Sequence, residues 1–346
     1  MGHRGRLIAP GGLDDDLPGQ AADETSAAEG EELAALAARH GLRPTSERPS
    51  LSSYLRKVWE RRHFIVAYAT ARNVSMYTEA RLGQLWQVLT PLLNSAVYYL
   101  IFGILFKANR GISNYTAYLV IGVFIFAFTE RSIVVGSTVI RSNITLIRAL
   151  HFPRACLPLA YVMVELQQLL LSMIVMFAIV LGTGEPLTWY WLLLIPALLM
   201  QATFNMGAAL IMARLGAGAQ DISQLVPFLL RVWRYFCGVM YSIASLPASL
   251  PLWAKNVLSF NPAAVYISLI RDAIMATFRE DAPGAKPYDA ARCAVFMAKK
   301  TPALQAYCHP DFGTGELWLA GAGWAVVVLA VGVIFFWQAE TRYGRG

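Results

Sequence analysis

The chain has 346 residues, 56% of them hydrophobic and only 15% charged, with a mean hydropathy of +0.47 and a formal net charge of +7. A soluble domain carries roughly 25% charged residues, so this composition excludes an ordinary soluble globule and points to an integral membrane protein. Much of the basic excess, Arg56, Lys57, Arg61, Arg62, Arg72 and Arg81, crowds a window just ahead of the first long apolar run. That placement suits an anionic membrane surface and argues against nucleic acid as the partner.

In chain order, residues 1–50 are acidic and rich in Pro and Gly, and read as a disordered cytoplasmic tail. Their opening, MGHRGRLIAPGGLDDDLPGQ, lacks the apolar core of a secretion signal. Residues 52–82 read as an amphipathic helix. Leu55, Val58, Trp59, Phe64 and Ile65 supply an apolar side, and the Arg/Lys cluster supplies a charged one. Such a helix lies in the membrane interface against headgroups, although an ordinary cytosolic helix would share the pattern.

Six segments are long and apolar enough to cross a bilayer, which needs about 20 residues: 85–106, 118–139, 157–182, 189–210, 225–243 and 317–338. With an even number of spans both termini share one side. Basic residues flank the region before the first span, the loop at 141–154, Arg214, and Arg342 with Arg345, so that side is cytoplasmic. The segment 244–316 is then external. It contains two short apolar pieces split at Asn261-Pro262, a turn signal. They read as short re-entrant helices before the last span. The fold expectation is an all-α membrane protein without internal repeats.

The chain lacks the glycine-rich Lys-Ser/Thr loop of a nucleotide hydrolase, a His-Glu-x-x-His pair and any Cys/His spacing for a metal. No cofactor or metal is expected on this chain. The glycines of LGAGAQDIS read as loop residues. Cys156 and Cys237 read as apolar fillers. Cys293 and Cys308 share the external segment, where a disulfide and two free thiols are both open readings. Glu130 and Glu165 are acids at membrane depth. The plain reading of Glu130 is pairing with its neighbour Arg131, and the two acids also leave a proton-coupled carrier open.

Two polar stripes mark the spans. Gln87, Pro91, Asn94 and Tyr98 share one face of the first, and Pro227, Arg231, Arg234, Gly238 and Tyr241 share one face of the fifth. Counted from Leu225, Arg231 and Arg234 lie roughly 9–14 Å into the membrane, where an Arg costs at least about 2.5 kcal/mol. Each should face an anion, a wet path or a Glu, or else snorkel to the headgroups. Tyr98 and Tyr241, on these stripes, offer a flat apolar face and a hydroxyl that suit a sugar, which presents both C–H surfaces and hydroxyls.

The stretch LIRALHFPRACLPLA, from Leu146 to Ala160, carries Arg148, Phe152-Pro153-Arg154 and Leu157-Pro158. It resembles the first cytoplasmic loop of the membrane subunits of type-2 ABC exporters of lipid-linked polysaccharide, the O-antigen, teichoic acid and galactan exporters. Arg72, Tyr77, Leu82-Gly83, Leu85-Trp86 and Pro91 resemble the same subunits' amphipathic helix and first span, and Asn261-Pro262 with Arg271-Asp272 their segment before the last span. The resemblance covers about residues 52–340.

It implies a transport subunit without its own ATPase site, paired with a second copy of itself and two ABC ATPase subunits that hold ATP and Mg, in the bacterial plasma membrane. The cargo would be a polyprenyl-pyrophosphate glycan, with a type-2 exporter of a small drug or lipid as the alternative. Residues 141–154 would be the coupling helix, with Arg148, His151, Phe152, Pro153, Arg154 and Asp221 at the ATPase. Asn94, Tyr98, Tyr99, Arg231, Trp233, Arg234 and Tyr241 would line the substrate path. Membrane lipids would contact residues 52–82.

Overall fold

Ser50 starts the first helix, its side chain accepting the N–H of Ser53 at 3.4 Å, a capping role that suits serine. The structure, a computed structural model, describes residues 50–76, 85–105, 114–149, 152–243, 251–275 and 314–340. All belong to the unit Pro49–Gly346. The expected tail 1–49, residues 77–82, His151, Cys293 and Cys308 lie outside the described residues.

The amphipathic segment is two helices, α1 (Leu51–Glu60) and α2 (Arg62–Ser75), rather than one. The break is at Arg61, whose N–H bonds back to the Lys57 and Val58 carbonyls. Tyr54, Ile65 and Ala69 turn inward, while Leu55 and Trp59 face out, Trp59 being 70% exposed beneath the Arg62 guanidinium. The apolar side is thus shared between protein packing and an outward surface fit for lipid.

Long helices occupy five of the six expected spans. The first becomes α3 (Leu85–Tyr98), continued by a π-helical stretch, Tyr99–Leu105. The second is α4 (Tyr115–Ser142), capped by the Asn114 side chain on the N–H of Ala117 at 3.2 Å. A short α5 (Ile144–Ala149) leads to the third span, α6 (Cys156–Gly182). A 3-10 turn (Trp189–Leu193) opens the fourth, α7 (Leu194–Gly218). The last is α11 (Thr314–Gln338). These five are long and apolar enough to cross a membrane, so the chain is a multi-pass membrane protein. Among the described residues there is no strand.

The fifth expected span, 225–243, is displaced. Its helix, α8, runs Gln220–Phe236, a 17-residue element carrying Asp221, Arg231 and Arg234, too short and too polar to join the five. It starts early because α7 does not stop at Leu210. The helix continues through Gly218, and a single extended residue, Ala219, joins α7 to α8. The glycines read as loop are therefore helical. The two short apolar pieces become α9 (Leu252–Ser259) and α10 (Pro262–Ile274), bent 69° at Asn261-Pro262 and counting as a sixth crossing if taken as one broken span. Asn261 caps α10, with Pro262 as its first residue, as the dipeptide predicts.

α4 is the central helix, packing against α3, α6, α7, α8 and α10. Two close approaches fix the bundle. Gly207 on α7 and Gly332 on α11 face each other backbone to backbone, and a Cβ on either would collide with the other helix. Gly136 on α4 meets Ala209 on α7 in the same way. Small residues at crossings are how membrane helices gain packing contact without a hydrophobic drive between them.

Candidate substrate path and coupling face

α8 places Arg231 about 16 Å and Arg234 about 21 Å along its axis from its first residue, Gln220. Arg234 is enclosed: its side chain is 14% exposed and that of Glu130, on α4, is 21%. The two form an ion pair through Nη2 and Oε2. Arg234 Nη1 donates to Tyr98 Oη at 2.6 Å, and its guanidinium stands 5.3 Å from the Phe126 ring centre. Its Nε is buried with no partner among the described residues. Glu130 therefore pairs across helices and not with Arg131, whose guanidinium reaches Gln168 instead. Residues i and i+1 on a helix do not face each other, so this correction follows from geometry. Glu165 is buried beside Arg131, lining a small cavity with Pro91, Phe124 and Ser172.

Arg231, one turn from Arg234, is exposed, with no hydrogen bond or ion pair to a described residue. Asn94 and Tyr99 on the first span are also exposed. Trp233 is half-buried, its Nε1 donating to Asn261 Oδ1 at 3.0 Å and its ring edge-on to Phe126. Tyr241 leaves the predicted stripe. α8 ends at Phe236, Gly238 takes φ +64°, and the Tyr241 hydroxyl donates to the Tyr235 carbonyl at 2.8 Å.

That turn after α8 is held by Arg271 of α10, which is 4% exposed. Its guanidinium donates to the Tyr118 carbonyl from Nε (3.2 Å) and Nη2 (2.9 Å), to Gly238 from Nη1 (2.9 Å) and to Val239 from Nη2 (2.9 Å). The cation also lies over the Tyr118 ring at 3.3 Å. Gly122 leaves the room, since a Cβ there would strike the guanidinium. In Arg271-Asp272 the motif is visible in sequence, while its clamping geometry is not.

At the opposite end of the bundle, the residues around 141–154 form a face. Within the expected coupling helix, 141–154, Arg141 and Ser142 end α4 and a separate short helix covers Ile144–Ala149. Asn143 interrupts it, bonding back to the Val139 carbonyl at 2.8 Å and accepting from Tyr68 Oη at 3.3 Å, and Pro153 disfavours helix just before it. Arg148 is exposed on α5 and Asp221 is exposed in the first turn of α8. Phe152 packs on Phe64 of α2, ring centres 5.5 Å apart. Arg154 and Ala155 turn inward to two residues that sequence reasoning missed. Glu340 Oε1 accepts the Arg154 N–H at 3.0 Å, and its carbonyl accepts from the Arg154 guanidinium. Tyr54 Oη donates to Glu340 Oε2 at 2.9 Å and accepts the Ala155 N–H at 3.3 Å. Burial pushes the Glu340 carboxyl above the usual carboxylate range despite these bonds, and burial with the Glu340 charge pushes the Tyr54 hydroxyl far above the usual tyrosine range. No local signal marks either: a Tyr on an amphipathic helix and an acid after a span are both ordinary.

The ABC-2 type transporter family matches residues 65–275 of the chain. The chain belongs to that family. The matched part of this ABC-2 chain runs from α2 to the end of α10, and so holds the face around residues 141–154, both α8 cations and the Arg271 clamp. Tyr54 and Glu340 lie outside it. Three curated relatives are similar to it, each named O-antigen export system permease protein RfbA. Two are from Klebsiella pneumoniae, at 29% and 28% identity over 201 residues, covering 58% of this chain and 75% of each relative. One is from Myxococcus xanthus, at 25% identity over 192 residues, covering 56% of this chain and 73% of the relative.

Proposed function

We propose that this ABC-2 chain is the membrane subunit of an exporter that carries polyprenyl-pyrophosphate-linked polysaccharide out across the bacterial plasma membrane, driven by ATP hydrolysis on a partner subunit. The observation that carries the reading is Arg231: an exposed guanidinium with no partner among the described residues, one turn from a second cation, on a helix we read as lying at membrane depth. Bare guanidinium is costly there, and its fork matches phosphate oxygens. The relatives' names, O-antigen export permeases, support polysaccharide as the cargo.

Two copies of the chain enclose the path, with α3 and α8 facing each other. Their exposed residues Asn94, Tyr99 and Arg231 meet the cargo, Arg234 stands behind, and Tyr98, Trp233 and Tyr241 contribute ring faces near the path. Stacking on such faces is tolerant of sugar identity, which permits stepwise passage. Two ABC ATPase subunits, carrying ATP and Mg, bind at Arg148, Phe152, Pro153, Arg154 and Asp221, and both termini are cytoplasmic. Pro153 and Pro158 restrict bending, so ATPase movement reaches α6 as a rigid-body displacement. The chain itself performs no chemistry. α1 and α2 rest on anionic lipid.

Depletion of the protein tests the reading. Full-length lipid-linked glycan should accumulate on the cytoplasmic side, and Arg231→Glu should reproduce the block while still assembling with the ATPase. Unchanged or shortened lipid-linked glycans on depletion would refute polysaccharide as the cargo.

A further inference from the structure

Arg234 is not simply a second copy of Arg231. Its guanidinium has two usable edges, and the one formed by Nε and Nη2 is only half filled. Glu130 takes Nη2, while Nε is buried with no acceptor among the described residues. A buried donor without an acceptor costs about 1–3 kcal/mol. A phosphoryl group presents oxygens that fill both nitrogens of such a fork at once. Tyr98 bonds to the other nitrogen, Nη1, and leaves that edge free. The charges agree with this: Arg231, Arg234 and Glu130 together carry a surplus of one positive charge, with Arg231 unneutralised.

We propose that Glu130 is an internal counter-ion occupying the place of a substrate phosphate on Arg234, which the pyrophosphate of a polyprenyl-pyrophosphate cargo displaces after contacting Arg231. The inference rests on the phosphate reading of Arg231 and adds a residue and an order of events to it. With no cargo bound, Glu130 keeps Arg234 from standing bare at membrane depth, where an unpaired cation is costly. It also sets a threshold. A singly charged or neutral lipid competes poorly for Arg234 against a carboxylate already in place, whereas a pyrophosphate brings more charge and fills the whole fork. Discrimination then comes from an occupant that must be expelled as well as from the attraction. The Glu130 side chain, one-fifth exposed, can turn toward water when expelled.

The test uses the full chain with its ATPase partner in nanodiscs, and a C15 polyprenyl pyrophosphate as probe against the C15 polyprenol. Glu130→Gln should bind the pyrophosphate about tenfold tighter than the wild type and the polyprenol equally. Glu130→Asp, which keeps the charge, should show no such gain, and Arg234→Gln in the Glu130→Gln background should abolish it. A wild type that prefers the pyrophosphate, with no gain in Glu130→Gln, overturns the counter-ion role and leaves the phosphate reading standing. No preference for the pyrophosphate in any protein overturns both. The wild type supplies a readout that needs no variant: modification of Glu130 by dicyclohexylcarbodiimide, followed by mass spectrometry, should rise several-fold when the pyrophosphate is added and not when the polyprenol is. Unchanged modification overturns the proposal even if Glu130→Gln fails to fold.

Discussion

Glu340 caps the approach to α6 from 186 residues away, its Oε1 accepting the Arg154 N–H at 3.0 Å. Three segments thereby meet at one carboxylate: α1 through Tyr54, the stretch before α6 through Arg154, and the end of α11. The folded protein holds this carboxyl above its ordinary pKa, chiefly through burial. A raised acid stabilises the fold fully below its unfolded value, near pH 4, and that contribution is lost as pH rises through the folded value. The melting midpoint of the wild type should therefore fall as pH rises above about 4, relative to Glu340→Gln, which has no proton to lose. Parallel curves for the two proteins would contradict this.

Arg271 should tolerate nothing smaller or less forked. Lys keeps the charge but not the planar set of donors, so Arg271→Lys cannot keep the four bonds that the guanidinium makes to the Tyr118, Gly238 and Val239 carbonyls. We expect a loss of about 2–4 kcal/mol, read as a lower melting midpoint in detergent. Gly122→Ala should act in the same direction, because its Cβ would displace the same guanidinium.

The α7–α11 crossing is predicted to fail with any side chain at Gly207. Gly207→Leu meets the α11 backbone around Val328 and Leu329, and overpacking typically costs about 1–3 kcal/mol. Lower yield of folded protein and faster proteolysis between the helices are the expected signs. Gly323 on α11, where an added Cβ would meet nothing, provides the control, and Gly323→Ala should be silent.

Arg148→Glu separates docking from folding. The side chain is exposed on α5 with no bond to a described residue, so stability should change by no more than about 0.5 kcal/mol. Recovery of the ATPase with the purified protein should nonetheless fall. An unchanged ratio of the two proteins would place the docking surface elsewhere.

How much of this the sequence carried depends on the range of the interaction. The long spans were legible because twenty apolar residues have few other fates, and Asn261-Pro262 was legible because its turn is local. The end of α7 was misread because Gly216 and Gly218 look like loop residues, whereas Gly216 is packed against the Ser137 backbone and owes its glycine to a helix crossing. The stripe on the fifth span held for Arg231 and Arg234 and failed for Tyr241, since a 3.6-residue period says nothing about where the helix stops. The partner of Arg234 was among the alternatives, a Glu, but which Glu depended on how α4 and α8 cross. Tyr54 and Glu340 were missed because nothing near either in sequence reports a contact 286 residues apart.

The single residue between α7 and α8 bears on how the protein is made. α8, with two arginines, is a poor candidate to enter a bilayer alone. Joined through Ala219 to a long apolar helix, it has no loop in which to wait outside, so the pair must leave the insertion machinery as one hairpin. Among the described residues its second cation, Arg234, is neutralised by Glu130 of α4, a helix synthesised earlier. The order of synthesis thus delivers the acid to the membrane before the base that needs it. Lengthening the junction with a flexible insert should let α8 lag and raise the fraction of chains degraded during biogenesis, even where the finished fold could accommodate the insert.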